Sequence, residues 1–126
     1  AVDKYSKFCT DVIELDNIKS FNKEGNDVYR ISLESIPDNM DELRGEFGYF
    51  YEYDTDDSES IFNNINNKYQ TLTYFGFDKS SLLKRVIQKR LQGIDRIVPI
   101  GKALDMDVIW DGYDIVRSLS RIIDVK

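Results

Sequence analysis

FGYFYEYDTDDSESIFNNINNKYQTLTYFGFDKSSLLKRVIQKRLQGIDRIVPIG, residues 47 to 101, switches repeatedly between the two hydrophobic periods of regular structure. Residues 47–53 place Phe47, Tyr49, Tyr51 and Tyr53 on one face and Phe50 and Glu52 on the other, the period of a strand. Asp56 and Glu59 then stand at capping-box spacing, with Ile61, Phe62, Ile65 and Tyr69 following at helical spacing. Residues 70–77, QTLTYFGF, predict a second strand. Asp78 suits the N-cap of a helix over 79–92, where Leu82, Leu83, Val86, Ile87 and Leu91 form an apolar stripe and Gly93 stands at the C-cap place. Residues 96–101, RIVPIG, predict a third strand whose pairing Pro99 ends. Strand, helix, strand, helix, strand implies crossover connections. The expectation is an α/β fold with a mainly parallel sheet, these three strands side by side in it and helices flanking.

Outward from that core, Ile115, Val116, Leu119, Ile122 and Ile123 predict a last helix. Asp111 and Asp114 lie near its positive end and Arg121 near its negative end. Towards the N-terminus, residues 28–33, VYRISL, predict another strand, with turns at Asn26-Asp27 and Pro37-Asp38-Asn39. Phe8 to Leu15 fits either a strand or a short helix. A chain of 126 residues suits one compact core. The expected organisation is a single domain over 1–126, an N-terminal segment at 1–43 preceding a βαβαβα region at 44–126.

Hydrophobic residues at 41% and charged residues at 32% describe a globular chain. A net charge of −6 argues against a general nucleic-acid binder, which needs a positive surface to displace counterions. No apolar run approaches the ~18–20 residues of a membrane span, and AVDKYSKF has no signal-type apolar stretch. With a single cysteine and so no internal disulfide, the expected location is cytoplasmic. The absence of histidine excludes Ser-His-Asp and Cys-His catalysis within the chain and removes the commonest zinc ligand.

Four features invite chemistry. Cys9 is the one thiol, but Asp11 and Glu14 beside it disfavour a thiolate, so packing is its better reading. Asp54, Asp56, Asp57 and Glu59 resemble a calcium loop, yet the sixth position is Glu59 rather than Gly and the twelfth is Ile65 rather than an acid; helix capping explains them better. Lys79, Lys84, Arg85, Lys89 and Arg90 mostly lie opposite the apolar stripe, as a solvated face or a phosphate site. Trp110-Asp111-Gly112, the one Trp beside a turn glycine, is a core plug or a pocket wall.

Residues 93–123, GIDRIVPIGKALDMDVIWDGYDIVRSLSRII, resemble the C-terminal signature of the LuxC-type acyl-CoA reductases of the aldehyde dehydrogenase superfamily, and KYQTLTYFGF at 68–77 resembles a strand of the same family. The likeness covers roughly residues 44–126. It implies the C-terminal part of an aldehyde dehydrogenase-like catalytic domain, from an enzyme that reduces fatty acyl-CoA to aldehyde with NADPH. In that family the acyl-accepting cysteine and the Rossmann domain lie upstream of the matched segment. The resemblance therefore implies a fragment or a degenerate paralogue, inactive alone and binding no cofactor by itself, with no catalytic residue in this chain. By the same resemblance Glu46 and Phe47 border the nicotinamide ribose, although the family's glutamate place, two residues before the Phe-Gly pair, holds Gly45 here. Gly101, Trp110, Asp111 and Gly112 fall where the family's C-terminal loop borders the substrate tunnel. Implied partners are the acyl-thioester substrate, other copies of the chain and an acyl-protein synthetase subunit; neither nucleic acid, a membrane span nor a metal is implied. The alternative is a non-catalytic protein-interaction module.

Overall fold

Phe8 to Leu15, open to either reading from sequence, is helical as far as Glu14: α1, Val2–Glu14, in the computed structural model, which describes residues 2–126. Strands β1 (Ile18–Glu24) and β2 (Val28–Leu33) follow, then a single 3-10 turn at Met40–Glu42, β3 (Tyr49–Tyr53) and the short helix α2 (Ser58–Asn63). Beyond these come β4 (Thr71–Tyr74), α3 (Lys79–Gln88), β5 (Arg96–Pro99), the two-residue strands β6 (Ile109–Trp110) and β7 (Tyr113–Asp114), and the single turn α4 (Ile115–Ser118). The chain divides into two compact units, the first ending at Asn64 and the second running Ile65–Lys126. Among the described residues no helix is long and apolar enough to cross a membrane.

The first unit is organised by β2. Its alternation buries Tyr29, Ile31 and Leu33 on one face and turns Arg30 and Ser32 to the other. β1 pairs with it antiparallel and β3 pairs parallel, Tyr29 opposite Tyr49 and Leu33 opposite Tyr53. α1 covers the apolar face. Phe8 inserts among Tyr29, Tyr49 and Phe21, with ring centroids 5.2, 6.0 and 5.7 Å away. Tilted and edge-on ring contacts of this kind each add about 0.5–1.5 kcal/mol beyond the area they bury. Cys9 and Val12 of the same helix and Leu15 just beyond its end pack around this cluster.

The second unit is thinner. β4 and β5 pair parallel across α3, and α3 lies against β5. The Asp78 carboxylate accepts from the Ser81 amide at 2.8 Å and caps α3 as the sequence predicts. β6 and β7 form a separate hairpin.

The mainly parallel sheet is therefore incorrect. Among the described residues three small sheets replace it: a mixed one of order β1-β2-β3, the parallel pair β4-β5 and the antiparallel pair β6-β7. Residues 47–53 and 70–77 lie in different sheets, so the βαβ expectation holds only for β4-α3-β5. The reason lies in β2, whose buried stripe Tyr29-Ile31-Leu33 recruits β3 by matching its Tyr face. IKSFNKE, mostly polar and exposed, then serves as an edge strand that apolar periodicity does not reveal. The Asn-rich run at 63–67 stops α2 after six residues.

Smaller corrections share this local character. Asp57, not Asp56, caps α2, accepting from the Glu59 amide at 2.9 Å. α3 ends at Gln88, with Arg90 taking the left-handed conformation at φ 51°, so Gly93 is not its cap. Gly93 instead admits the 66–69 backbone: a Cβ there would stand 2.2 Å from the Asn66 carbonyl oxygen. The last helix is one turn rather than a helix to Ile123, because an apolar stripe makes a stable helix only against a surface that buries it.

Candidate functional site

Two groups of residues carry the resemblance, and each lies within one unit. In the first, Gly45-Glu46-Phe47-Gly48 leads into β3. Phe47 has φ 53°, a conformation bulky side chains rarely take, and is 85% exposed. Gly48 makes this possible: at φ 82° a Cβ would stand 2.2 Å from the Asp27 carbonyl oxygen, and the Gly48 carbonyl accepts from the Tyr29 amide at 2.9 Å. The Lys4 ammonium ties the loop to α1, donating to the carbonyls of Phe47 at 2.8 Å, Asp27 at 3.1 Å and Asn26. Beside it lies a cavity of about 320 Å³ lined by Lys7, Arg44, Glu42, Glu46 and Phe47 among others. Lys4 is spent on three backbone carbonyls.

Behind that cavity Asp11 is buried and accepts from the hydroxyls of Tyr49 at 2.6 Å and Tyr51 at 2.5 Å, with the Lys7 ammonium 3.1 Å away. A lysine and two tyrosines on one carboxylate suggest acid–base chemistry, but each of the three holds its proton more tightly than usual. Burial, then the hydrogen bond to Asp11, pushes the Tyr49 hydroxyl far above its ordinary 10.0. Burial and the Asp11 bond also raise Tyr51, against the opposing pull of Lys7 and Tyr49. Burial lowers Lys7, but its hydrogen bonds to Tyr51 and Asp11 outweigh that and leave it above 10.5. A general acid or base works best near the operating pH. This cluster is a polar anchor between α1 and β3.

In the second unit, Trp110, Asp111 and Gly112 come together in the β6–β7 hairpin. Asp111 at φ 50° and Gly112 at φ 76° are the two central residues of its tight turn, the left-handed pair that matches strand twist. One Asp111 carboxylate oxygen is buried without a hydrogen-bond partner among the described residues. Gly101, at φ 86°, closes the turn after β5. Arg96, which sequence reasoning took only as the start of a strand, stacks its guanidinium 4.4 Å from the Trp110 ring centroid. The same group donates to the carbonyls of Ala103 at 2.7 Å and Asp105 at 2.8 Å. The one hint in sequence was an arginine opening an otherwise apolar strand.

The remaining candidates have structural uses. Cys9 is half-buried against the aromatic core and packs as a small apolar side chain. Asp57 caps α2, and Asp54 lies 3.9 Å from Lys19. Of the basic residues on and after α3, Lys79, Lys84 and Arg90 are exposed and Arg85 and Lys89 half-buried.

No protein-family model, curated protein or solved structure matches the chain.

Proposed function

We propose that the chain is part of an NADPH-dependent acyl-CoA reductase that converts fatty acyl thioesters to fatty aldehydes, and that it is inactive by itself. Sequence resemblance over residues 93–123 supplies the family. The observation that carries the reading is the exposed apolar side chains of the segment between β5 and Trp110: Ile100, Leu104, Met106 and Val108 are 54–88% exposed. Large apolar side chains exposed along one segment suit an apolar occupant, and a fatty acyl chain is the one this family would supply. The nicotinamide would supply hydride. In this chain Phe47 and Glu46 would bind and orient its ribose end, and Trp110 with its loop would exclude water from the acyl chain. The acyl-accepting thiol would come from the upstream part of the same enzyme, since Cys9 is a packing residue. Copies of the reductase would associate, in the cytoplasm.

The test has two parts. NADPH oxidation with a long-chain acyl-CoA is expected to give no turnover with this chain, and none with Cys9→Ala. The reading frame upstream is expected to encode a Rossmann glycine pattern and a cysteine. Turnover that disappears in Cys9→Ala, or a start codon immediately before Ala1, contradicts the proposal. The start codon would favour the second reading, a non-catalytic module docking a partner such as an acyl-protein synthetase subunit. The same exposed surface supports that reading.

A further inference from the structure

We propose that the face of α3 carrying Leu83 and Ile87, with the loop that leads into it, docks on an anionic lipid surface. The motive is a segregation of charge. From Lys79 to Arg90 the sequence holds five Lys and Arg and no Asp or Glu, in a chain whose net charge is −6. Leu82 and Val86 are the buried stripe of this helix, which lies against β5. One position further round, Lys79, Leu83 and Ile87 follow at i, i+4, i+8 and share a second face, with Lys84 three residues before Ile87 at its side. On that face Leu83 is 47% and Ile87 64% exposed, and both lysines are exposed.

The loop before the helix carries Phe75-Gly76-Phe77. Its two rings are 83% and 61% exposed. Gly76, at φ 76°, stands in open space: a Cβ there would meet no atom of the described residues within 4 Å. Aromatic rings at an open turn, and an apolar pair flanked by lysines, match the layers of a bilayer surface. The apolar groups enter the acyl boundary and the ammonium groups stay at the phosphates. At ten residues α3 cannot span, so the contact is interfacial. The same lysines would draw a nucleic acid or a strongly acidic peptide, but neither gives Leu83 and Ile87 an apolar layer to enter. The acidic remainder of the chain is repelled by such a surface only at short range, because charges more than about 8 Å apart are largely screened at physiological salt. This contact does not depend on which reaction the chain belongs to.

The experiment floats the chain with vesicles of phosphatidylcholine alone and of phosphatidylcholine containing phosphatidylserine, at physiological salt. The wild type is expected to float with the phosphatidylserine vesicles and far less with the neutral ones. Lys79→Gln/Lys84→Gln is expected to lower the partition coefficient about ten-fold or more. Leu83→Ser/Ile87→Ser and Phe75→Ser/Phe77→Ser are each expected to lower it by a similar factor, with circular dichroism unchanged. If the substitutions on α3 prevent folding, the Phe75→Ser/Phe77→Ser variant decides, because its changes lie in an exposed loop. A wild type that stays with the soluble fraction overturns the proposal, as does equal flotation with both kinds of vesicle. Any folded variant that partitions like the wild type overturns it too. Lysine-dependent binding that ignores the apolar changes would assign the face to a soluble acidic partner instead.

Discussion

The first unit closes its own core and the second does not. Phe8, Tyr29, Ile31, Leu33 and Tyr49 form one buried cluster between α1 and the β1-β2-β3 sheet. From residue 65 onward only Leu82 and Val86 are buried, while Leu83 and Ile87 on the same helix are 47% and 64% exposed. Both units have apolar residues in number. What differs is layering: the first sheet has three strands with a helix across one face, whereas the second has two-stranded pairs and a helix buried along only half its stripe. A helix or sheet face is stable when a second layer covers it. The second unit thus has apolar residues in number but few of them buried.

The sharpest test of this contrast places the same substitution in both units. Ile31 is fully buried and Ile122 is 90% exposed. Ile31→Ala is expected to cost about 2–5 kcal/mol in chemical denaturation, and Ile122→Ala less than about 0.5 kcal/mol. Comparable losses would mean that the C-terminal stripe is already buried in this chain. Next in size is the polar anchor of the first unit. Asp11→Ala strands the buried Tyr49 hydroxyl, and a loss of about 1–3 kcal/mol is expected, with α1 detaching from β3. An unchanged denaturation midpoint would remove Asp11 from the account.

The units should also respond to opposite extremes of pH. Tyr49, Tyr51 and Lys7 all have folded pKa values above their ordinary 10.0 and 10.5. Their contribution is fully present below those values and is lost as pH rises through the folded ones. Alkaline titration followed by tyrosinate absorbance should show these two tyrosines ionising only as the first unit unfolds; all eight ionising together near the ordinary value would contradict this. Asp78 shifts the other way, lowered first by the Ser81 backbone amide and then by its hydroxyl. Its contribution to α3 is present above the ordinary 3.8 and is lost as pH falls through the lower folded value. The smallest expected effect is therefore an acid loss of helical dichroism that flattens in Asp78→Asn, since Asn caps without titrating. An identical acid profile in the variant would show that the cap is not the titrating group.

What the sequence disclosed follows the same division. VYRISL could be read as a strand because its alternation is the core, and Asp78 could be read as a cap because capping is local. β1 escaped notice because an edge strand on a helix-covered sheet need not be apolar, and IKSFNKE is not. The parallel β2–β3 pairing was hidden for another reason: residues 34–48 between them contain only one 3-10 turn and no periodic stretch. Reading strands 47–53 and 70–77 into one sheet assumed that neighbours in sequence are neighbours in space. The tyrosine face of β3 satisfied itself against β2 and α1 instead. At the candidate site, the turn at Asp111-Gly112 was legible from its residue types. The clasp of Arg96 on Ala103, Asp105 and Trp110 was not, since it depends on where the loop returns.

Hydrogen exchange on the intact chain tests the central claim most directly. Amides of β2 that are buried in the first unit, those of Tyr29, Ile31 and Leu33, should exchange only through global opening of that unit. Amides of β4 and β5 in the second should exchange through openings of far lower free energy, because little apolar surface holds them. Strong, unequal protection in that order is the predicted result. Equal protection of β2 and of the β4–β5 pair would contradict the account, because it would mean that the second unit is held as firmly as the first.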